Sequence, residues 1–293
     1  MRISDSTGPG SPRVAGFHEP DTGSIQYVAA CPRTGRCALI DVVMGLDPKS
    51  FATDAGPAEE VLDWVRAEGL EVEWVLDTHP HADHLMAAAW LKEETGAPQA
   101  IGEKVREIAR LWRDLYNMPD LDPEPHFDRL WADGDTFRVG ACDVRVMLSP
   151  GHTLGSVTYV MGNACFAHDT FMQPDAGTAR ADFPGGSAAE LWESLQAILD
   201  LPEETRVFVG HDYGTAGREE PEWESTVAEQ RDHNKHVAGV TREDYIALRE
   251  ARDATLALPD RMLAALQVNL RGGRLPEPEG DGHRYLKLPL NRF

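Results

Sequence analysis

Thr78-His79-Pro80-His81-Ala82-Asp83-His84 is the stretch on which the reading of this chain turns. Four metal-capable side chains, His79, His81, Asp83 and His84, fall within six residues. His79 and His81 are two apart, so an extended loop projects them in the same direction. Asp83 and His84 sit at an expected helix start, where they can face a second position. One tight loop can therefore feed two neighbouring metal sites.

The segment before this loop, Glu71 to Asp77, reads as a strand, and Asp83 to Thr95 reads as a helix stopped by Gly96 and Pro98. The loop thus lies at a strand end, where α/β sheets gather ligands. Three more candidate ligands follow other strands. They are His152 in Ser149-Pro-Gly-His-Thr-Leu-Gly-Ser156, Asp169 in Ala167-His-Asp-Thr170, and His211 in Val209-Gly-His-Asp-Tyr213. A lone residue of this kind is more often structural than a ligand; here it is the ordered set that points to a metal. Gly151 and Gly210 let the chain turn sharply and present the histidine that follows. Asp169 can bridge two metals, or complete a two-His, one-carboxylate face on one.

Elsewhere strands and helices alternate. Ser24 to Ala30 and Cys37 to Val43 read as strands, as do Phe137 to Leu148, Ser156 to Phe166 and Arg206 to Val209. Helices are expected over Pro57–Glu68, Gly102–Tyr116 and Ser187–Asp200, the last with Ser187 and Glu190 as a capping box. Further helices are expected over Glu219–His233, Arg242–Thr255 and Pro259–Leu270, and an edge strand over Arg284–Leu290. The Ser-, Gly- and Pro-rich start makes residues 1–15 an expected flexible N-terminus. Residues 16–293 are expected to form a single domain with a helical C-terminal extension from about residue 237.

Of 293 residues, 42% are hydrophobic, enough for a sizeable core. Twenty-eight Lys and Arg against 49 Asp and Glu give a formal net charge of −21. That argues against nucleic acid and against an anionic membrane surface as partners. It does not constrain the substrate, because a bound metal can make a site locally positive. Cys31, Cys37, Cys142 and Cys165 form no C-x-x-C pair and suggest no disulfide framework. With no secretory or membrane-spanning apolar run in view, a cytoplasmic location with reduced thiols is expected.

The histidine and aspartate set resembles the metallo-β-lactamase superfamily, whose pattern is H-x-H-x-D-H followed by His, Asp and His. Every position is filled here. The resemblance implies an α/β fold, an αβ/βα sandwich of two mixed sheets with helices outside and the site along one edge. Within the superfamily, the T-H-P-H-A-D-H loop, Arg180-Ala-Asp-Phe183 and His211-Asp-Tyr213 look like persulfide dioxygenases of the ethylmalonic-encephalopathy type. Glu103 to Tyr116 and the tail Arg252-Asp-Ala-Thr…Gln267-Val-Asn…Tyr285-Leu-Lys-Leu-Pro-Leu-Asn look like the bacterial β-lactamase-like (Blh) sulfur dioxygenases.

That resemblance implies one Fe²⁺ per chain, held by His79, His152 and Asp169. His81, Asp83, His84 and His211 would form an outer shell that orients and tunes. Arg180 would bind a substrate carboxylate, with Asp212 and Tyr213 as further substrate-binding candidates. The reaction implied takes a small-molecule thiol persulfide such as glutathione persulfide, O₂ and water to sulfite and the thiol. A homodimer is the default assembly. The competing reading is a binuclear zinc hydrolase of the glyoxalase II or lactonase kind, with two Zn²⁺ per chain, acting on a thioester or lactone. All seven ligands for it are present.

Overall fold

A computed structural model describes residues 1–292. The first part of the chain supplies β1 (Arg2–Ser4), β2 (Arg13–Glu19), β3 (Ser24–Ala30), β4 (Arg36–Ile40), β5 (Val43–Leu46) and β6 (Thr53–Asp54). Then come α1 (Gly56–Ala67), β7 (Glu71–Leu76), β8 (Leu85–Met86), α2 (Ala88–Thr95), β9 (Gln99–Gly102), α3 (Val105–Tyr116) and β10 (Arg129–Trp131). The second part supplies β11 (Thr136–Val139), β12 (Cys142–Leu148), β13 (Val157–Met161), β14 (Ala164–His168), α4 (Ala188–Leu199), β15 (Arg206–Val209) and β16 (Glu224–Thr226). It closes with α5 (Val227–His233), α6 (Arg242–Asp253) and α7 (Met262–Asn269).

These elements build the sandwich that the resemblance implied. One sheet has seven strands in the order β1-β2-β3-β4-β7-β9-β10; the other has six, β11 through β16 in sequence. A small sheet, β6-β5-β8, sits beside them. Both large sheets are mixed: β4, β7, β9 and β10 pair in parallel, as do β14 and β15, and the other large-sheet pairs are antiparallel. Strand β3 shows why the sheets stack. All seven of its residues are buried, and Ile25, Tyr27 and Ala29 face the main core while Val28 and Ala30 face the other way. The main core joins them to Val144, Val146, Tyr159, Phe166 and Phe208 of the second sheet. On the opposite face, Val61, Leu62 and Val65 of α1 cover Val28 and Leu39, each such burial contributing about 2 kcal/mol.

Four expectations need correction. The N-terminal residues are part of the fold: β1 pairs with β2, and the buried Arg206 guanidinium donates to Ser4 Oγ, Ser11 Oγ and the Asp5 and Pro12 carbonyls. The helix expected from Asp83 begins only at Ala88, because Leu85 and Met86 pair with Val43 and Met44 instead. The helix expected from Glu219 begins at Val227; Pro221 interrupts it and residues 224–226 pair with β15. Residues 284–290 form no strand, and Lys287 bonds through its backbone to the Gln267 side chain. Strands β2, β9 and β10 had no counterpart in the sequence reading.

Candidate metal centre

Parallel pairing brings the ligands to one edge. β4 and β7 run side by side, with Ile40 opposite Leu76, so Asp41 and Asp77 leave the sheet together and the Thr78 N–H donates to Asp41 Oδ1. β14 and β15 do the same, His168 standing opposite Val209, which sets Asp169 beside Gly210 and His211. A Cβ on Gly210 would lie 2.7 Å from Asp169 Oδ1, so only glycine admits this approach. Gly151 has φ +126°, and a Cβ there would lie 2.2 Å from the Leu191 backbone nitrogen.

All seven expected ligands are brought together. His79 Nε2 lies 3.5 Å and His152 Nε2 3.4 Å from Asp169 Oδ2. The other nitrogen of each ring is anchored. His79 Nδ1 is 3.0 Å from Thr78 Oγ1, which donates to Asp41 Oδ2, and His152 Nδ1 donates to the Arg180 carbonyl at 2.9 Å. His81 Nε2 donates to Asp41 Oδ1 at 3.0 Å, while its Nδ1 has no partner. Donor atoms of His79, His81 and Asp169 lie within 4.8 Å of one another. His81, expected in an outer shell, therefore stands level with the first group.

The remaining three residues form a second group. His211 is held on both ring nitrogens, 2.5 Å from Asp169 Oδ1 and 2.6 Å from Asp83 Oδ2. His84 Nδ1 lies 3.4 Å from Asp83 Oδ2. Ser24, which the sequence reading placed only in a strand, reaches the same space from β3.

Burial and charge act oppositely on these groups. Burial pushes His79 well below its ordinary pKa, helped by the neighbouring His81 and His152; burial also takes His84 down to about 3. Burial opposes a charge on His211 as well, yet Asp169, Tyr213 and Asp83 hold its proton and raise it well above the usual value. Burial would raise Asp169, but His211 beside it keeps that carboxyl ionised well below the ordinary range. Neutral His79 and His152 and an ionised Asp169 are the states in which these side chains bind a cation. The buried, unpartnered His79 Nε2 and His81 Nδ1 fit a metal, since a buried polar atom without a partner costs about 1–3 kcal/mol.

The C-terminal helices brace the site from behind, which the sequence reading did not foresee. Asn269 of α7 donates to the His81 and His84 carbonyls at 2.7 and 2.8 Å and accepts from the Met86 N–H at 2.8 Å. On the other side, Arg249 of α6 donates to the Thr178 carbonyl, and Asp253 accepts from the Ala181 N–H. These bonds fix the segment whose Arg180 carbonyl orients His152. Phe183 packs edge-on against His152, 5.3 Å between ring centres, and joins a cluster with Ile108, Trp112, Phe127 and Leu266. The only signal for these supports was the tail resemblance, which carried no role for Asn269.

The substrate-binding candidates line one cleft of about 490 Å³ together with His152, Asp169 and His211. Arg180 is not a free cation there. Its Nε and Nη2 donate to Asp182 at 2.6 and 2.7 Å, its Nη1 donates to the Ala257 carbonyl, and it stacks on Phe183. The Asp212 carboxylate is taken up by Arg218 and by the Gly214 and Glu222 N–H groups. Tyr213 is 69% exposed, with its ring stacked on His211.

The Lactamase_B model of the metallo-β-lactamase superfamily matches residues 21–211, and the chain belongs to that superfamily. Inside it, the chain is 59% identical over 282 residues to the "Beta-lactamase hydrolase-like protein" of Xylella fastidiosa, covering 96% of this chain and 65% of the relative. It is 45% identical to the "Probable metallo-hydrolase BURPS1710b_2304" of Burkholderia pseudomallei, covering 95% of this chain and 99% of that protein. The crystal structure of ETHE1 from Myxococcus xanthus superposes with a TM-score of 0.71 at 28% identity, covering 89% of this chain and 99% of that one. The chain thus spans 65% of the length of its Xylella relative. No helix among the described residues is long and apolar enough to cross a membrane.

Proposed function

We propose that this chain is an iron-dependent persulfide dioxygenase acting on glutathione persulfide or a similar thiol persulfide. The sulfane sulfur takes up both atoms of O₂ and one oxygen from water; sulfite, the thiol and two protons leave. The observation that carries the reading is the convergence of His79 Nε2 and His152 Nε2 on Asp169 Oδ2, a two-His, one-carboxylate face. The likeness in fold to ETHE1 supports it. Fe²⁺ held by His79, His152 and Asp169 would supply the redox chemistry that Zn²⁺ lacks.

The chain's own part is positioning and proton handling. Thr78 and Asp41 orient His79, and the Arg180 carbonyl orients His152. His81 stands with its unpartnered Nδ1 in the same group, and His211 holds a proton beside it between Asp169 and Asp83. Arg180 remains our candidate reader of a carrier carboxylate. A guanidinium has five N–H donors, and the three bonds to Asp182 and Ala257 leave two over. Lys235 and Arg252 line the same cleft. Asp212 acts through the loop it organises, and Tyr213 walls the entrance. We extend the reading to a cytoplasmic homodimer; the four cysteines are all buried and unpaired.

A second reading has its own observation. Donors of His81, Asp83 and His84 also lie within 4.8 Å of one another, and both sequence relatives carry "hydrolase" in their names. A binuclear zinc hydrolase would use that second group. Anaerobically prepared protein decides between the two. About one iron per chain and persulfide-dependent oxygen uptake support the dioxygenase; two tightly held zincs, thioester hydrolysis and no gain on iron loading reject it.

A further inference from the structure

The superfamily pattern provides donors for two metals, and the two groups are not equally ready. In the first, His79 Nε2 and His81 Nδ1 are buried without a partner, and His152 Nε2 faces Asp169. In the second, His211 has both nitrogens engaged, and the one unpartnered nitrogen is His84 Nε2. One free nitrogen does not hold a zinc ion, whose sites use at least three protein ligands.

The side chain that closes the second group is Ser24, 1% exposed. Its Oγ lies 3.0 Å from His84 Nδ1, 3.0 Å from His211 Nε2 and 3.5 Å from Asp83 Oδ2, touching all three residues of that group. A fourth contact, Thr22 Oγ1 at 2.8 Å, completes its surroundings. The backbone fixes it there. Ser24 bridges to His211, the Ile25 N–H donates to the Gly210 carbonyl, and the Asp212 N–H donates to the Gly23 carbonyl. Gly23 has φ +71° and a Cβ there would meet the Tyr213 ring at 2.7 Å, so glycine lets this segment lie close against the His211–Tyr213 turn.

We propose that the Ser24 hydroxyl is the determinant of metal count, standing among Asp83, His84 and His211 where a second cation would sit. A neutral hydroxyl can donate to one imidazole nitrogen and accept from another, so it satisfies the group without a metal. Deleting it leaves a carboxylate and two imidazoles around an unfilled space, in which a cation can replace the proton between His211 Nε2 and Asp83 Oδ2, a donor set that suits Zn²⁺ or Co²⁺. The inference rests on the single-metal reading of the first group.

The test is metal counting, with no turnover needed. Wild type, Ser24→Ala, Ser24→Gly and Ser24→Thr are titrated with Zn²⁺ and with Co²⁺ against a chelator, and bound metal is measured after desalting. Wild type and Ser24→Thr, which keeps the hydroxyl, should hold about one ion, and the Ala and Gly chains about two. The second Co²⁺ should also weaken the electron paramagnetic signal of the first by coupling. If the Ala chain folds only with zinc present, its bound-zinc count is read in the same way. Wild type holding two ions would overturn the single-metal reading. Wild type holding one, with the Ala and Gly chains also holding one, would overturn only the role of Ser24.

Discussion

At the scale of single residues, the two histidine-carboxylate groups should separate by what their loss removes. His152→Ala and Asp169→Ala should empty the site, because each takes a donor from the converging face. On the proposed single-iron reading, His84→Ala and His211→Ala should keep the iron and lose part of the activity, about 10-fold or more, as supporting residues do. Iron content measured beside oxygen uptake checks this; His211→Ala emptying the site as fully as His152→Ala would defeat it. A titration gives a second residue-scale test away from the metal. His236 Nδ1 accepts the Thr178 N–H at 3.0 Å, and burial, with the charges of Arg249, Lys235 and Arg252, takes its pKa down to about 4. Unfolded, it titrates near ~6.5. The unfolded chain therefore binds the extra proton first as pH falls, so the stability this group contributes is present above about 6.5 and lost towards 4. With a discount for remaining solvent the loss is on the order of 2 kcal/mol. Chemical denaturation between those limits should show the slope in wild type and a shallower one in His236→Asn; equal slopes would place the proton uptake elsewhere.

Among elements, the C-terminal helices determine how firmly the ligands are held. Asn269→Ala removes three buried hydrogen bonds, at about 1 kcal/mol each, and frees the carbonyls of His81 and His84. A fall in stability of about 3 kcal/mol is expected, with metal affinity reduced 10- to 100-fold. Chelator competition and a thermal melt on the same preparation test the two parts; a melt that drops while affinity holds would make Asn269 a plain core residue. This brace also marks where the sequence stopped being informative. Ser24–Ala30, Arg206–Val209 and the Ser187 cap were legible because their signals are local: a short apolar run or a hydroxyl three residues before a Glu. The non-helical course of Asp83 to Ala87 was not, because Val43 and Asn269, far away in sequence, take the backbone groups a helix would use. Gln99–Gly102 is four buried residues in a parallel pair, too short for a period to show.

Over the whole molecule, a metal held by His79, His152 and Asp169 would join the two sheets. His79 follows β7 of the seven-stranded sheet; His152 and Asp169 follow β12 and β14 of the six-stranded one. Stripping the metal should therefore loosen the sandwich itself. A metal present at about 100 times its dissociation constant contributes about 2.7 kcal/mol, or roughly 4–5 °C in Tm for a chain of this size. Calorimetry before and after chelation gives the shift, and an unchanged Tm with the metal gone would mean the sheets hold without it. The metal centre was legible in the sequence because the ligands cluster in one loop and at glycine-marked strand ends. The supports were not, being single residues such as Asp41, Ser24 and Asn269 whose neighbours only the folded chain reveals. Asn269 lies 188 residues beyond His81 and 185 beyond His84. A ribosome adds about 5–20 residues per second, so the ligand loop is made roughly ten seconds or more before its brace exists. Firm metal binding by this loop is therefore expected only once residue 269 has been added and has reached the His81 and His84 carbonyls.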